Sequence, residues 1–325
     1  MKVKSLVIHE IMKEAKTTGA GIFLSDELLD VTNPKVSKIV TSIDSSFIKK
    51  SIKRAKFSED GFKKEVEDFS DFDLLEISKE LTKQLKLSIQ NISGAKGGYL
   101  VFTEFTYSKD FLGVFLVRNT DGTKLIQSGS GWDINSTEYL NVEHFAMGAK
   151  INLSVLNSTS DDRYISLVKG NTDIAGYFEK WIGIDDSKQE NIDAQALYDL
   201  TNKITLPDDI SSRDELKKKI FDYAKTQPSN TVNLNTLSEY IYNDSDYIQN
   251  YCNDNDIDID SEFKLKGANL SKFFKASVKA DDIEITAPRS IFSSDKIRIV
   301  NGKLIINSTE LINQIENLKN MNDDE

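Results

Sequence analysis

The sequence predicts an α+β protein: an N-terminal domain with a mainly antiparallel sheet and helices, followed by a mainly helical C-terminal domain that ends in a β-hairpin and a helix. Three observations carry this. Phe72 to Ile89 sets Leu74, Ile77, Leu81, Leu85 and Ile89 along one helical stripe. From Gly98 to Arg118 the chain changes to closely spaced runs of aromatic and β-branched residues, the composition of hairpin-linked antiparallel strands. After Asn191 helical patterns return, and near the end Asn301-Gly302 sits between two β-rich arms, a strong hairpin signal.

The elements follow in order. Lys2 to His9 reads as an opening strand. Ser25-Asp26-Glu27-Leu28-Leu29 offers a helix cap with acids in the first turn, where the helix dipole favours them. Lys35 to Lys53 reads as helix behind Pro34, a favoured starting residue. Gly98 to Tyr107 and Asp110 to Arg118 read as strands, Asn119-Thr120-Asp121-Gly122 as a turn, and Thr123 to Gln127, Lys150 to Leu156 and Arg163 to Lys169 as further strands. A helix around Tyr177, Phe178 and Trp181 closes the first domain, residues 1–184. The polar stretch Ile184 to Asn191 is the boundary, and the second domain covers 192–325. Its helices are Ile192 to Asn202, Ser212 to Lys225 and Thr236 to Tyr242, the last two opened by the capping-box spacings Ser212-x-x-Glu215 and Thr236-x-x-Glu239. Ile283 to Thr286 and the Asn301-Gly302 hairpin are strands, and Thr309 to Leu318 is the final helix.

Composition bounds the function. With 39% hydrophobic and 29% charged residues in 325, the chain is a folded protein of about two domains. No apolar run approaches the roughly 20 residues that span a bilayer, and no signal-peptide core opens the sequence, so a cytoplasmic location without membrane contact is expected. The lone Cys252 has no partner for an internal disulfide. Net charge is −11. Exposed charges more than about 8–10 Å apart are screened from one another, so distribution matters more than the sum.

Two segments are locally basic. Lys35, Lys38, Lys49, Lys50, Lys53, Arg54 and Lys56 face a single acid, Asp44, and Phe47, Ile48 and Ile52 at helical spacing leave the cations on the opposite side. The segment reads equally as a phosphate-contact face or as a solvated helix face. Lys264, Lys266, Lys272, Lys275 and Lys279 have no acid among them. Phe263, Phe273 and Phe274 interleave with these, and core packing suits them better than base stacking.

Other chemistry is weakly signalled. Asp254, Asp256, Asp258 and Asp260 alternate like early ligands of a calcium loop, but Ile259 and Leu265 stand where that loop needs Gly and Glu. The alternation reads as an exposed edge strand or loop. Arg163 shares a strand face with Ile165, Leu167 and Lys169, which suits structural ion pairs as well as DNA contacts. His9 and His144 are the two imidazoles, and His144 beside Glu143 reads as a structural histidine. Gly19-Ala20-Gly21 and Gly129-Ser130-Gly131 are small-residue turns without the Lys-Ser/Thr of a phosphate loop. No catalytic, metal or cofactor site is expected.

An ordered series of tracts carries more information. Asp133-Ile134-Asn135-x-x-x-Tyr139-Leu140-x-x-x-His144 is followed by Asp162-Arg163-Tyr164-Ile165-Ser166-Leu167-Val168-Lys169-Gly170. Gly97-Gly98-Tyr99-Leu100-Val101-Phe102 and Ala149-Lys150-Ile151-Asn152-Leu153 flank the first, and Ser238 to Asn253 with Asn269-Leu270-Ser271-Lys272-Phe273-Phe274 follow the second. In this order they resemble the NdpA family of bacterial nucleoid-associated proteins, typified by YejK, over nearly the whole chain. The resemblance implies a non-enzymatic cytoplasmic protein of the nucleoid, with double-stranded DNA as partner and a link to DNA topology through a topoisomerase. It supplies no site residues. Charge alone nominates Lys49, Lys50, Lys53, Arg54, Lys56, Lys264, Lys266, Lys272, Lys275 and Lys279 for contact with nucleic acid. The competing expectation is a protein-interaction module recruited to the nucleoid, whose acidic surface engages a DNA-processing partner. A homodimer would double each patch.

Overall fold

The computed structural model describes residues 1–66, 68–168, 175–185 and 190–322, which form two compact units. The first comprises 1–189 together with 233–239 and 244–262; the second comprises 190–232, 240–243 and 263–325.

In the first unit, β1 (Lys2–Met12), β2 (Gly21–Phe23), β3 (Ile52–Phe57), β4 (Gly98–Thr106) and β5 (Asp110–Val117) belong to one sheet. The hairpin strands β6 (Asn119–Ser128) and β7 (Gly131–Leu140) form a separate two-stranded ribbon. With β8 (Met147–Asn152), β9 (Ile165–Val168) and β10 (Ile184–Asp185) the main sheet has the order β10-β3-β9-β8-β5-β4-β1-β2. Neighbours such as β4 and β5, or β3 and β9, run antiparallel. The fold is therefore α+β, as the sequence predicts.

Helices cover both faces of this sheet, which explains why β4 and β5 read as near-continuous apolar runs. On one face Leu100, Phe102, Leu112, Val114 and Leu116 pack with Leu81, Leu85 and Ile89 of α3 (Leu74–Ile89) and with Phe178 and Trp181 of α5 (Ala175–Ile182). On the other, Val101, Phe105, Phe115 and Val117 meet Val36, Val40, Ile43 and Phe47 of α1 (Pro34–Phe47). A register shift between Val3 and Ser5 lets Val3 and Leu6 share the α1 face despite their odd and even positions. Two single-turn helices, α2 (Phe62–Glu65) and α4 (Leu153–Leu156), complete this region, and Asn152 caps α4.

Several local expectations change. Ser25 to Leu29 forms no helix, because the Ser25 N–H donates to His9 Nδ1 and the Leu29 N–H to the Leu6 carbonyl. The α1 helix stops at Phe47, and Lys53 lies on β3 instead of on a helix. Asn119 to Gly122 is strand; the reversal comes later in the chain, at Ser128 to Gly131, where Gly129 takes φ +59°. Lys150 to Leu156 is strand only to Asn152. Lys169 lies outside the described residues.

The chain continues through α6 (Glu190–Lys203), α7 (Arg213–Thr226), β11 (Thr231–Asn233), α8 (Leu234–Tyr242), α9 (Tyr247–Asp254), β12 (Glu262–Lys264) and α10 (Gly267–Phe274). Ser212 caps α7 by accepting from the Glu215 N–H, while Glu215 reaches back to Ser211. Asn233, not Thr236, caps α8: its Oδ1 accepts from the Asn235 and Thr236 N–H groups. In the second unit α6, α7 and α10 pack together. Phe273 is buried edge-on to Tyr198 at 5.6 Å, and Phe274 stacks on Phe221 at 4.9 Å, so these aromatics serve the core. The hairpin β13 (Lys275–Ala280) and β14 (Ile283–Pro288) follows, then α11 (Arg289–Phe292). Next comes the hairpin β15 (Ile297–Val300) and β16 (Lys303–Ile306), and last α12 (Thr309–Asn322). Asn301 and Gly302 turn the second hairpin with φ of +49° and +75°, the left-handed pair this turn requires.

Candidate nucleic-acid interface

The two basic segments lie in different units. In the first, Lys49 is exposed just past α1, and Lys50 extends its Nζ over the Phe145 ring at 4.8 Å. The β3 strand then points its cations at protein partners. Lys53 bonds Glu179 at 3.1 Å, and Lys56 pairs with Asp161. Arg54 donates from Nη1 to Ser166 Oγ at 2.7 Å, and its Nε is buried. Arg54 is thus not presented to a duplex lying on the surface. The helix-face geometry expected for these cations does not arise, because Ile52, Ala55 and Phe57 are drawn into the sheet.

The second segment is presented differently. Lys264 and Lys266 are exposed at β12 and at the start of α10. Lys272 is an exposed α10 residue that reaches Gln195 Oε1 at 2.8 Å. Lys275 and Lys279 are exposed on β13, two pleats apart and therefore on one face. Lys279 stands opposite Glu284 in the register, and no acid interrupts the segment itself.

The first unit also contains a polar cluster that charge counting missed. Arg163 is buried and donates from Nε to Asp258 Oδ1 at 2.9 Å and from Nη1 to Asp260 Oδ1 at 3.1 Å. Asp260 also accepts the Arg54 backbone N–H at 2.6 Å. The alternating aspartates are therefore not simply an exposed edge. Ser261 continues the junction, its Oγ accepting from the Ile52 N–H at 2.8 Å. Nearby, Asp44 binds Lys150 Nζ at 2.7 Å and accepts from the Tyr107 hydroxyl at 2.5 Å, while Lys150 lies over the Phe47 ring at 4.8 Å. Burial lowers the affinity of Lys150 for its proton, and Asp44 opposes that effect. Burial likewise pulls Arg54 below the ordinary arginine range, with Asp258 acting against it. Burial and the Asp44 hydrogen bond raise Tyr107. Arg163 with its alternating acids was the available sequence signal; Asp44, Tyr107 and Lys150 are too far apart in the chain to signal one another.

His144 is exposed in a bend, where its backbone N–H donates to Asn141 Oδ1 at 3.1 Å. No group of three or more His, Cys, Asp or Glu suited to a metal ion occurs among the described residues. No helix among them is long and apolar enough to cross a membrane.

Comparison with known proteins gives the class first: bacterial nucleoid-associated proteins. A nucleoid-associated protein of Pasteurella multocida (strain Pm70) is 25% identical over 238 residues, covering 70% of this chain and 69% of its own. One from Haemophilus influenzae is 24% identical over 243 residues, covering 71% of each chain, and one from Histophilus somni (strain 2336) is 23% identical over 270 residues, covering 77% of this chain and 79% of its own. The chain belongs to the family described as nucleoid-associated protein YejK, whose model matches residues 7–315. That match confirms the resemblance carried by the ordered tracts.

Proposed function

We propose that this protein acts at the bacterial nucleoid as a non-enzymatic DNA-binding factor, holding the phosphate backbone through the lysines of its second unit. The observation that carries the reading is the exposed series Lys264, Lys266, Lys272, Lys275 and Lys279, free of intervening acids, in a member of a nucleoid-associated family. Lys49 and Lys50 add a second, smaller foothold on the first unit. Such contacts carry no base-edge readout, so binding is indifferent to sequence and steeply dependent on salt. An influence on DNA topology follows if binding constrains the duplex.

The test is fluorescence anisotropy of a labelled duplex at several salt concentrations. Each lysine that neutralises a phosphate contributes about 0.9 to the slope of log K against log salt. Changing the five lysines to Gln should weaken binding and flatten that slope; an unchanged slope dismisses the patch.

A second reading is favoured by the β6–β7 ribbon, which leaves Trp132 68%, Ile134 73% and Leu125 59% exposed. Apolar side chains so placed suit a protein partner. In this reading the chain is an interaction module that docks on a DNA-processing protein such as a topoisomerase, or on a second copy of itself. Failure of wild type to bind DNA, with retention of a purified topoisomerase that is lost in Trp132→Ser, favours it over the first.

A further inference from the structure

We propose that two copies of this chain associate by reciprocal exchange of their last segment, α12 of each copy docking on the apolar face of the β15–β16 hairpin of the other. This surface shares no residue with the β6–β7 ribbon or with the lysine series, so it stands whichever reading of function holds.

Both halves of the contact are built and left open to solvent in one copy. The hairpin register sets Ile297 opposite Ile306 and Ile299 opposite Leu304, so four aliphatic residues share one face, while Arg298 and Lys303 belong to the other. That alternation is the pattern of a ribbon with one face covered. Yet Ile299 is 79% and Leu304 51% exposed. In α12, Leu311, Ile315 and Leu318 recur at helical spacing with Ile312 beside them, forming an apolar stripe. Every residue from Thr309 to Asn320 is exposed, and Leu318 reaches 63%. A helix of 14 residues and a two-stranded hairpin are each marginal in water when nothing packs on them, so both gain from a cover.

Three observations identify that cover as a second copy. The first is complementarity of shape and polarity: an apolar ribbon face takes an apolar helix stripe, and each is what the other lacks. Within one copy the link between them is pinned, since the Asn307 N–H donates to the Lys296 carbonyl at 2.7 Å and the Leu311 N–H to Ser308 Oγ at 3.3 Å, and α12 leaves the hairpin without covering it. The second is charge. The hairpin carries Lys296, Arg298 and Lys303 against Asp295, whereas α12 carries Glu310 and Glu316 against Lys319. Helix on hairpin therefore brings opposite signs together, and hairpin on hairpin would bring like signs together. The third is area. Ile299, Leu304 and the four aliphatic residues of α12 expose on the order of 650 Å² per copy, enough for the apolar part of the about 800 Å² that each partner buries in a standard interface. A two-fold exchange engages both surfaces of both copies and closes, leaving no open end for further chains.

The experiment is sedimentation equilibrium of the full chain from about 1 to 50 μM, concentrations at which an interface of standard size associates. Wild type is expected to reach the mass of a dimer and go no higher, and Trp132→Ser should do the same. Leu318→Glu on the helix and Ile299→Glu on the hairpin should each weaken association about a hundredfold or more, because a carboxylate would be buried against aliphatic surface. Both positions are exposed within a copy, so the variants keep the fold of the single chain. Mixing the two variants decides the geometry. The mixed pair retains one intact contact, the unaltered helix of the Ile299→Glu chain on the unaltered hairpin of the Leu318→Glu chain, so dimer should reappear. Helix-on-helix or hairpin-on-hairpin pairing gives no such recovery. A wild-type monomer throughout, a mass that climbs past the dimer, a dimer that survives either Glu substitution or is lost in Trp132→Ser, or no recovery on mixing each overturns the proposal.

Discussion

At the scale of single residues, the clearest consequence of burial is at His9. Its ring is fully enclosed; Nδ1 accepts the Ser25 N–H at 3.0 Å, so the proton sits on Nε2, which lies 2.8 Å from Ser78 Oγ. Burial, reinforced by the Lys79 charge, lowers its pKa from 6.5 to about 4. The unfolded imidazole takes up its proton near 6.5 and the folded one only near 4, so between these values the unfolded state holds more protons and stability falls as pH falls. Urea midpoints at pH 7 and pH 4.5 should separate by less in His9→Gln than in wild type; equal separation would show that His9 does not titrate this way. The Arg163 pair behaves differently. Arg163→Ala leaves Asp258 and Asp260 partly buried without their cation and should cost about 3 kcal/mol, whereas Arg163→Met with Asp258→Leu should recover much of that loss. Equal losses in the single and double variants, measured by urea unfolding, would contradict a desolvated pair.

Among the elements, α3 shows how far local pattern reaches. Asp73 accepts from the Leu75 N–H at 2.9 Å and the Glu76 N–H at 3.2 Å, and Leu81, Leu85 and Ile89 lie fully buried along the stripe read from the sequence. Asp73→Ala should destabilise the fold by about 1 kcal/mol and Leu85→Ala by about 2–5 kcal/mol, both read from chemical denaturation. A cost for Leu85→Ala below that for the cap would mean the stripe is not the core contact. The Asn301-Gly302 hairpin was equally legible, since its two positive φ angles are a requirement of the turn itself. The β3 strand was not. Its helical spacing of Phe47, Ile48 and Ile52 is genuine, but pairing with β9, from Ile52 opposite Val168 to Ala55 opposite Ile165, overrides it. The same holds for Asn119 to Gly122: turn-forming residues become strand because β7 supplies their partners up to Leu140. Capping by Asn233 instead of Thr236 shows a third limit, since several residues at a helix start can serve and the backbone selects one.

For the whole molecule, net charge and function point in opposite directions until position is considered. A chain of net −11 is repelled by DNA on average, yet the stretch that holds the lysines of α10 and β13 contains no acid, and screening limits the reach of acids farther away. Doubling that patch in a homodimer would raise avidity, and a mass measurement in solution, repeated with the ribbon variant Trp132→Ser, should show whether the exposed ribbon joins two copies. A monomeric mass for wild type removes that route. The sequence by itself determined the α+β class, the long helices, the hairpin near the end and, through its ordered tracts, the family. These are written in neighbouring residues: periodicity, turn chemistry and the succession of elements. Only the tertiary structure decided which side chains engage these cations. Lys53, Arg54 and Lys56 resemble Lys272, Lys275 and Lys279 in composition, but Glu179, Ser166 and Asp161, each more than a hundred residues away, engage the first group, whereas in the second Lys272 meets the neutral Gln195. Such partners are brought together by packing across the sheet, and no local window of sequence contains them.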